Sequence, residues 1–268
     1  MASDSFAGRT ALVTGSTQGV GEALVHELVT QGLARVIITG RDAQRAEQVA
    51  ARVRDRGCEA HAIVADLADA AAVTQLAAAA QQRCGVIHHL ANCAGITDRS
   101  ELWDTTVDFF DRMMAVNVRA PLMLAQAVAL GARAAGVPAS IVNVGSIVGY
   151  AGPDFLTAYS ISKGALLTLT KSLANQCAAY RIRVVQVNPG WTDTPGEHAI
   201  RVGHHGEQSD WLVRAEAAQP FGRLIKPAEL ARTLAFVLSD EAGLMTGAII
   251  DYDQHVIGLP TGAAAPGT

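Results

Sequence analysis

Cysteine is scarce in this chain of 268 residues: the four, at positions 58, 84, 93 and 177, form no CxxC pair and have no metal-ligand spacing. That excludes a disulfide framework and a thiolate zinc site, and the cysteines read as reduced residues in or near a core. Charge is also sparse, at 17% of residues, and its balance of −4 lacks the basic excess that nucleic acid or an acidic membrane surface demands. Neither partner is expected, and binding falls to a small molecule. No uninterrupted apolar run reaches the roughly 18 residues of a membrane span, and Asp4 stands where a secretory signal would be positive. The expected location is cytoplasmic.

What is abundant is apolar residues, at 50% of the chain, enough for a large core. One domain over residues 1–259 is expected, with 260–268 as a loose tail. Apolar, β-rich runs at 10–14, 35–39, 60–64, 86–91, 140–144, 182–187 and 248–252 alternate with alanine-rich helical patterns near 20–31, 43–56, 69–83, 107–130, 157–179 and 227–239. Strand, helix, strand repetition with apolar strands predicts an α/β, doubly wound Rossmann fold, a seven-stranded parallel sheet flanked by helices. The rhythm breaks only after Asn188. A segment over about 190–219, rich in glycine, histidine, tryptophan and charge, starts where a strand ends, and ligands bind beyond the carboxyl ends of such strands. It reads as a substrate lid.

Two motifs carry chemistry. After the first strand, Thr14-Gly15-Ser16-Thr17-Gln18-Gly19-Val20-Gly21 leads into a helix, the arrangement that lets backbone N–H groups approach a pyrophosphate. Further on, Tyr159 and Lys163 stand four apart on one helix face, thirteen residues after Ser146 at a strand end. A neighbouring cation favours phenolate, so the lysine is expected to lower the tyrosine pKa.

Together these motifs, with Asn92-Cys93-Ala94-Gly95, Asn117 and Pro189-Gly190, resemble the short-chain dehydrogenase/reductase family over nearly the whole chain. The resemblance implies an NAD(P)-dependent oxidoreductase that moves a hydride between nicotinamide and an alcohol or carbonyl carbon. Tyr159 would be the general acid or base, and Ser146 the donor to the reacting oxygen. Lys163 would hold the nicotinamide ribose, and the Asn117 backbone a relay water. The cofactor would contact Gly15, Thr17, Gln18, Gly19, Val20 and Gly21, then Asp66 and Leu67 at the adenine. Asn92, Ala94 and Gly95 would lie near the ribose, with Tyr159, Lys163, Pro189, Gly190, Thr192 and Thr194 completing the site. Asp66 has an alternative reading as a helix N-cap, a role open equally to Asp69.

Cofactor choice falls after the second strand, in Gly40-Arg41-Asp42. Gly40 replaces the acid that bonds the ribose hydroxyls of NAD, and the Arg41 guanidinium suits a 2′-phosphate. Gln18 and Asp42 pull the other way, and the balance favours NADP over NAD. The polar lid points to a hydroxylated or anionic substrate such as a sugar, polyol or sugar acid. Arg99, His198, Arg201 and Trp211 are its candidate contacts, with Trp211 as a flat face for a sugar ring. The adjacent His204 and His205 lack metal-ligand spacing, so no metal is expected.

Two departures from the family pattern stand out: Gly145 replaces a frequent serine, and Asp251-Tyr252-Asp253-Gln254 replaces a strand followed by Asp-Gly-Gly. Gln254 and His255 can reach a subunit interface or the pocket, or can simply be solvated. The resemblance also implies a homotetramer. Competing readings are a 3-oxoacyl thioester reductase, which needs a basic surface for an acyl carrier, and a cofactor-sensing protein without catalysis, which predicts a damaged tetrad.

Overall fold

In the computed structural model, which describes residues 4–203 and 210–258, chain order is strictly alternating at first. Strand β1 (Thr10–Thr14) is followed by α1 (Gly19–Thr30), β2 (Arg35–Gly40), α2 (Ala43–Arg54), β3 (Glu59–Val64), α3 (Ala70–Cys84) and β4 (His89–Asn92). Then come α4 (Val107–Met114), α5 (Ala120–Ala135), β5 (Ala139–Val144), α6 (Thr157–Cys177) and β6 (Ile182–Pro189). The chain continues through α7 (Pro195–Gly203), α8 (Trp211–Ala217), α9 (Pro227–Leu238) and β7 (Ile249–Tyr252). All pairings are parallel, in the order β3-β2-β1-β4-β5-β6-β7. The order reverses between β1 and β4, which pair Thr14 with Asn92 at their carboxyl ends, and that switch point opens a ligand crevice.

Local chemistry sets the elements. Asp42 caps α2 by accepting from Arg45 N at 3.0 Å, and Thr106 caps α4 by accepting from Phe109 N. Asp69, not Asp66, caps α3, through Ala71 N at 2.8 Å. Both faces of the sheet are apolar. One buries Val13, Val36, Ile38 and Val185 under α1, α2 and α9; the other buries Leu12, Ile37, Leu90 and Val184 under α3 and α5. These two layers are the core.

The expected helix over 107–130 is longer and interrupted. Residues Ala115–Arg119 form a π-helical turn between α4 and α5, and α5 runs on to Gly136, whose left-handed backbone (φ 69°) stops it. Val107–Ala135 is long and apolar enough to cross a membrane, but half of its apolar window is buried, and α5 packs on β4, β5 and α3. A core role accounts for its composition. The segment after Asn188 holds two short helices, α7 and α8; His204 and His205 lie outside the described residues.

Candidate active site

The first glycine turn is built by close approach. A Cβ on Gly15 would stand 2.8 Å from Ala94 Cα, and one on Gly21 would stand 2.4 Å from the Gly15 carbonyl oxygen. Gly15 also takes φ +63°, so both position and conformation demand glycine. Thr14 Oγ1 accepts from Ala94 N at 3.1 Å, and Thr39 N donates to Ser16 Oγ at 3.0 Å, which ties the turn to both neighbouring strands. The result is an open groove at the start of α1.

That groove is one end of a cavity of about 930 Å³ running along the carboxyl ends of the strands. Its walls include Gly15, Thr17, Gln18, Gly19, Val20 and Gly21, then Arg41, Asp66, Leu67, Ala94 and Gly95. Further along stand Ser146, Tyr159, Lys163, Pro189, Gly190, Thr192 and Thr194. Asn92 stands behind the wall: it is buried, and its Nδ2 donates to Asn143 Oδ1 at 2.8 Å. Asn117 is also out of the cavity. Its Oδ1 accepts from Ile96 N and its Nδ2 donates to Ile96 O, each at 3.0 Å, so the side chain braces the loop after β4. Its backbone lies in the π-turn, where the regular ladder is broken.

Ser146 stands two residues past the end of β5 and caps the short turn at Ile147–Gly149, its Oγ accepting from Val148 N. Tyr159 and Lys163 rise from the first turns of α6 beside it. Lys163 Nζ donates to the Val144 carbonyl at 2.8 Å and lies 5.6 Å from the Tyr159 ring centre. A Cβ at Gly95 would stand 3.4 Å from both Lys163 Nζ and Asn117 Oδ1, so the loop passes close over the lysine. The electrostatics depart from expectation. Burial pushes the Tyr159 phenol up to about 12; Ser146 pulls it down, and the Glu197 charge pushes it further up. Burial likewise lowers Lys163 to about 8. Desolvation sets both shifts: the phenol is half-buried, the ammonium is buried, and the ammonium is turned to a carbonyl rather than to the phenol. In this arrangement Tyr159 holds its proton.

At the adenosine end, Gly40 is packed against Thr17: a Cβ there would stand 2.6 Å from Thr17 Cγ2. Arg41 is exposed at the rim, and Arg45 reaches the same rim, its Nε on Asp42 Oδ2 and its Nη1 on Gln18 Oε1, both at 2.8 Å. Sequence reasoning missed Arg45, although Gln18 and Asp42, its two partners, were the residues that argued against a phosphate. Asp66 is turned onto its own loop, its Oδ1 accepting from Ala68 N at 2.9 Å.

The lid candidates divide. Arg99 and Arg201 line the cavity. His198 does not; it pairs with Asp193 at 2.7 Å and meets the Trp211 ring edge-on. Trp211 is buried and stacked on Trp191, so the tryptophan that lines the cavity is Trp191, with the Arg201 guanidinium 4.4 Å over its ring. Gln254 lies away from the cleft, donating to Arg223 O and accepting from Phe221 N at 2.9 Å, and His255 meets Gln219. Both pin the chain that follows α8. The two family departures have packing causes. A Cβ at Gly145 would fall 2.0 Å from Asn188 Oδ1 and 2.4 Å from Gln186 Nε2; a Cβ at Gly190 would fall 1.8 Å from Asp253 Oδ1. Gln186, Asn188 and Asp253 fill the space that smaller residues would leave.

This fold, with the glycine groove leading to a buried serine and lysine and a half-buried tyrosine, defines a nicotinamide-dependent oxidoreductase site, and the chain belongs to the short-chain dehydrogenase/reductase family. A family model described as enoyl-(acyl carrier protein) reductase matches residues 15–254. The chain is similar to a cis-4-hydroxycyclohexanecarboxylate dehydrogenase of Sinomonas cyclohexanicum, 35% identical over 93% of this chain and 97% of the other. It is also similar to a sorbitol dehydrogenase of Cereibacter sphaeroides, 32% identical over 92% and 96%. Among solved structures, a blue fluorescent protein from a metagenomic library in complex with NADPH superposes with a TM-score of 0.82, at 30% identity over 93% of this chain and 98% of that one.

Proposed function

We propose that the chain is an NADP(H)-dependent dehydrogenase/reductase interconverting an alcohol and a carbonyl on a small polar substrate: a sugar, a polyol or a sugar acid. The observation that carries this is one cavity lined by the glycine groove at one end and by Ser146, Tyr159 and Lys163 with a charged, tryptophan-walled chamber at the other. The groove fits a dinucleotide because Gly15 and Gly21 let the turn close tightly on Ala94 and on itself at the start of α1, where bare backbone N–H groups suit a pyrophosphate. Glycines 15, 19 and 21 would hold the phosphates, Asp66 and Leu67 the adenine, Arg41 with Arg45 a 2′-phosphate, and Thr192 and Thr194 the nicotinamide end. NADP(H), when bound, supplies the hydride donor or acceptor.

The residues of the chain then manage a proton and a charge. In reduction, the protonated Tyr159 hydroxyl gives its proton to the substrate oxygen, while the Ser146 hydroxyl hydrogen-bonds that same oxygen as negative charge grows on it. In oxidation the proton returns to Tyr159. Lys163 orients the cofactor ribose and, with the Asn117 backbone, supplies the path by which Tyr159 exchanges its proton with solvent. The charged Arg99, Glu197 and Arg201 support a small polar substrate over a long acyl chain or a steroid, with Ile96, Phe155, Leu156 and Ile200 on the same wall to pack on its carbon skeleton. A specificity screen with NADP⁺ and NADPH tests the reading: aldoses, polyols and their acids should exceed steroid and long-chain ketones in kcat/KM. A tenfold preference for the apolar ketones would overturn it.

A further inference from the structure

We propose that Arg99 and Arg201 form a carboxylate clamp for a hydroxy-acid substrate, and that the Glu197 carboxylate held between them is a resident stand-in that the substrate's carboxylate displaces. This rests on the reading of the cleft as a dehydrogenase site and narrows its substrate class.

The three groups come from separate segments and meet inside the cavity: Arg99 from the loop after β4, Glu197 and Arg201 from successive turns of α7. Glu197 Oε1 accepts from Arg201 Nε at 2.8 Å and from Trp191 Nε1 at 3.0 Å, and Arg99 Nη2 stands 3.9 Å away. Their side chains are only 15% (Arg99), 20% (Arg201) and 18% (Glu197) exposed, so water screens the cluster weakly. Among the described residues, two guanidiniums therefore face the Glu197 carboxylate in a partly dehydrated chamber. Among the described residues, Asp98 is the further acid on this part of the wall, and it lies exposed at the rim.

Each guanidinium is also fixed in orientation. Arg99 lies 4.8 Å over the centre of the Phe155 ring, and Arg201 lies 4.4 Å over that of Trp191, and stacking on an aromatic face restrains a planar cation. Such a pair presents edge N–H groups to a carboxylate, the geometry in which arginine binds anions best. A carboxylate already occupies that place. Glu197 and Tyr159 line the same cavity, so an acid seated there shares the chamber with the proton-transfer group. Glu197 can vacate by rotating its own side chain, while its backbone stays tied to Thr194 Oγ1 at 3.2 Å.

The test is calorimetric titration of the NADPH-loaded protein, in which an alcohol cannot be oxidised, with gluconate and with sorbitol. These two differ by a carboxylate in place of one terminal carbinol. The clamp predicts a gluconate Kd at least about tenfold below that of sorbitol, the worth of one or two charge-assisted hydrogen bonds. Arg99→Gln and Arg201→Gln should each collapse the ratio to within about threefold, and Glu197→Gln should widen it several-fold by removing the competing charge. Should Arg201→Gln fail to fold, Arg99→Gln and Glu197→Gln still decide. Equal affinities in the wild type, no binding of either compound, or a ratio unchanged in the variants overturns the clamp. Turnover separates the two claims. Preferential gluconate binding without hydride transfer from any alcohol leaves the clamp and removes the dehydrogenase reading; oxidation of polyols with no acid preference does the reverse.

Discussion

Removing the Arg41 guanidinium should cost NADP affinity and leave NAD nearly untouched. Arg41 stands exposed at the adenosine rim, and no acid can take the neighbouring Gly40 position without striking Thr17, 2.6 Å from the Cβ it would add. The rim thus offers a 2′-phosphate two cations, while its carboxylate, Asp42, is engaged by Arg45. Because the site faces water, each guanidinium–phosphate contact falls at the low end of charge-assisted bonds, about tenfold in Kd. Arg41→Ala should therefore raise the Kd of NADPH about tenfold, with NADH changed by less than about twofold. Arg45 is preset by Asp42 and Gln18, both at 2.8 Å, so Arg45→Ala should act alike, and the pair of substitutions somewhat less than multiplicatively. Gly40→Asp alone should weaken both cofactors, since overpacking costs about 1–3 kcal/mol, while Gly40→Asp with Thr17→Gly should recover NADH binding. Fluorescence titration with NADPH and NADH reads all of these. Equal losses for the two cofactors in Arg41→Ala would refute the reasoning.

The remaining expectations concern stability and assembly. His89 is buried on β4 with its Nδ1 on Ser140 Oγ at 2.8 Å, and burial pushes its pKa from 6.5 down to about 3. The unfolded chain binds a proton below pH 6.5 that the folded chain refuses, so this neutral imidazole contributes stability present above pH 6.5 and lost as pH falls toward 3. A Tm series over that range should fall less steeply in His89→Leu than in the parent. Gly145→Ala drives a methyl to 2.0 Å from Asn188 Oδ1 and should lower Tm by the several degrees that about 1–3 kcal/mol of overpacking implies; Gly57→Ala, with open space but φ +84°, separates backbone strain from packing. Leu122 and Leu130 on α5, Ile161 on α6 and Phe236 on α9 leave apolar side chains exposed, which suits self-association. Light scattering at micromolar concentration should return a tetramer; a monomer contradicts that assembly.

The strand and helix order was legible because a parallel sheet leaves period and apolar runs in the sequence, and the glycine turn and Tyr159–Lys163 pair fall at fixed points of that order. What was not legible is where tertiary packing overrides local pattern. The π-turn at Ala115–Arg119 has no marker within a helical run. Trp211 reads as a ligand face by residue type, but stacking on Trp191 buries it; only the place of Trp191, straight after Pro189-Gly190 at the end of β6, hints at its role. Glu197 and Arg45 matter through partners distant in sequence, Arg99 and Gln18, which no spacing rule joins. The tyrosine pKa followed burial rather than the nearby lysine, because desolvation depends on the whole surrounding fold.

The central claim is that Tyr159 moves the proton while the chain binds NADP(H), and Tyr159→Phe tests it most directly, since that change deletes one hydroxyl and nothing else. With a carbonyl substrate from the screen, loss of NADPH absorbance followed in wild type and variant should show turnover reduced about 10²- to 10⁴-fold, with the NADPH Kd preserved. Turnover in Tyr159→Phe above about a hundredth of wild type would contradict the account.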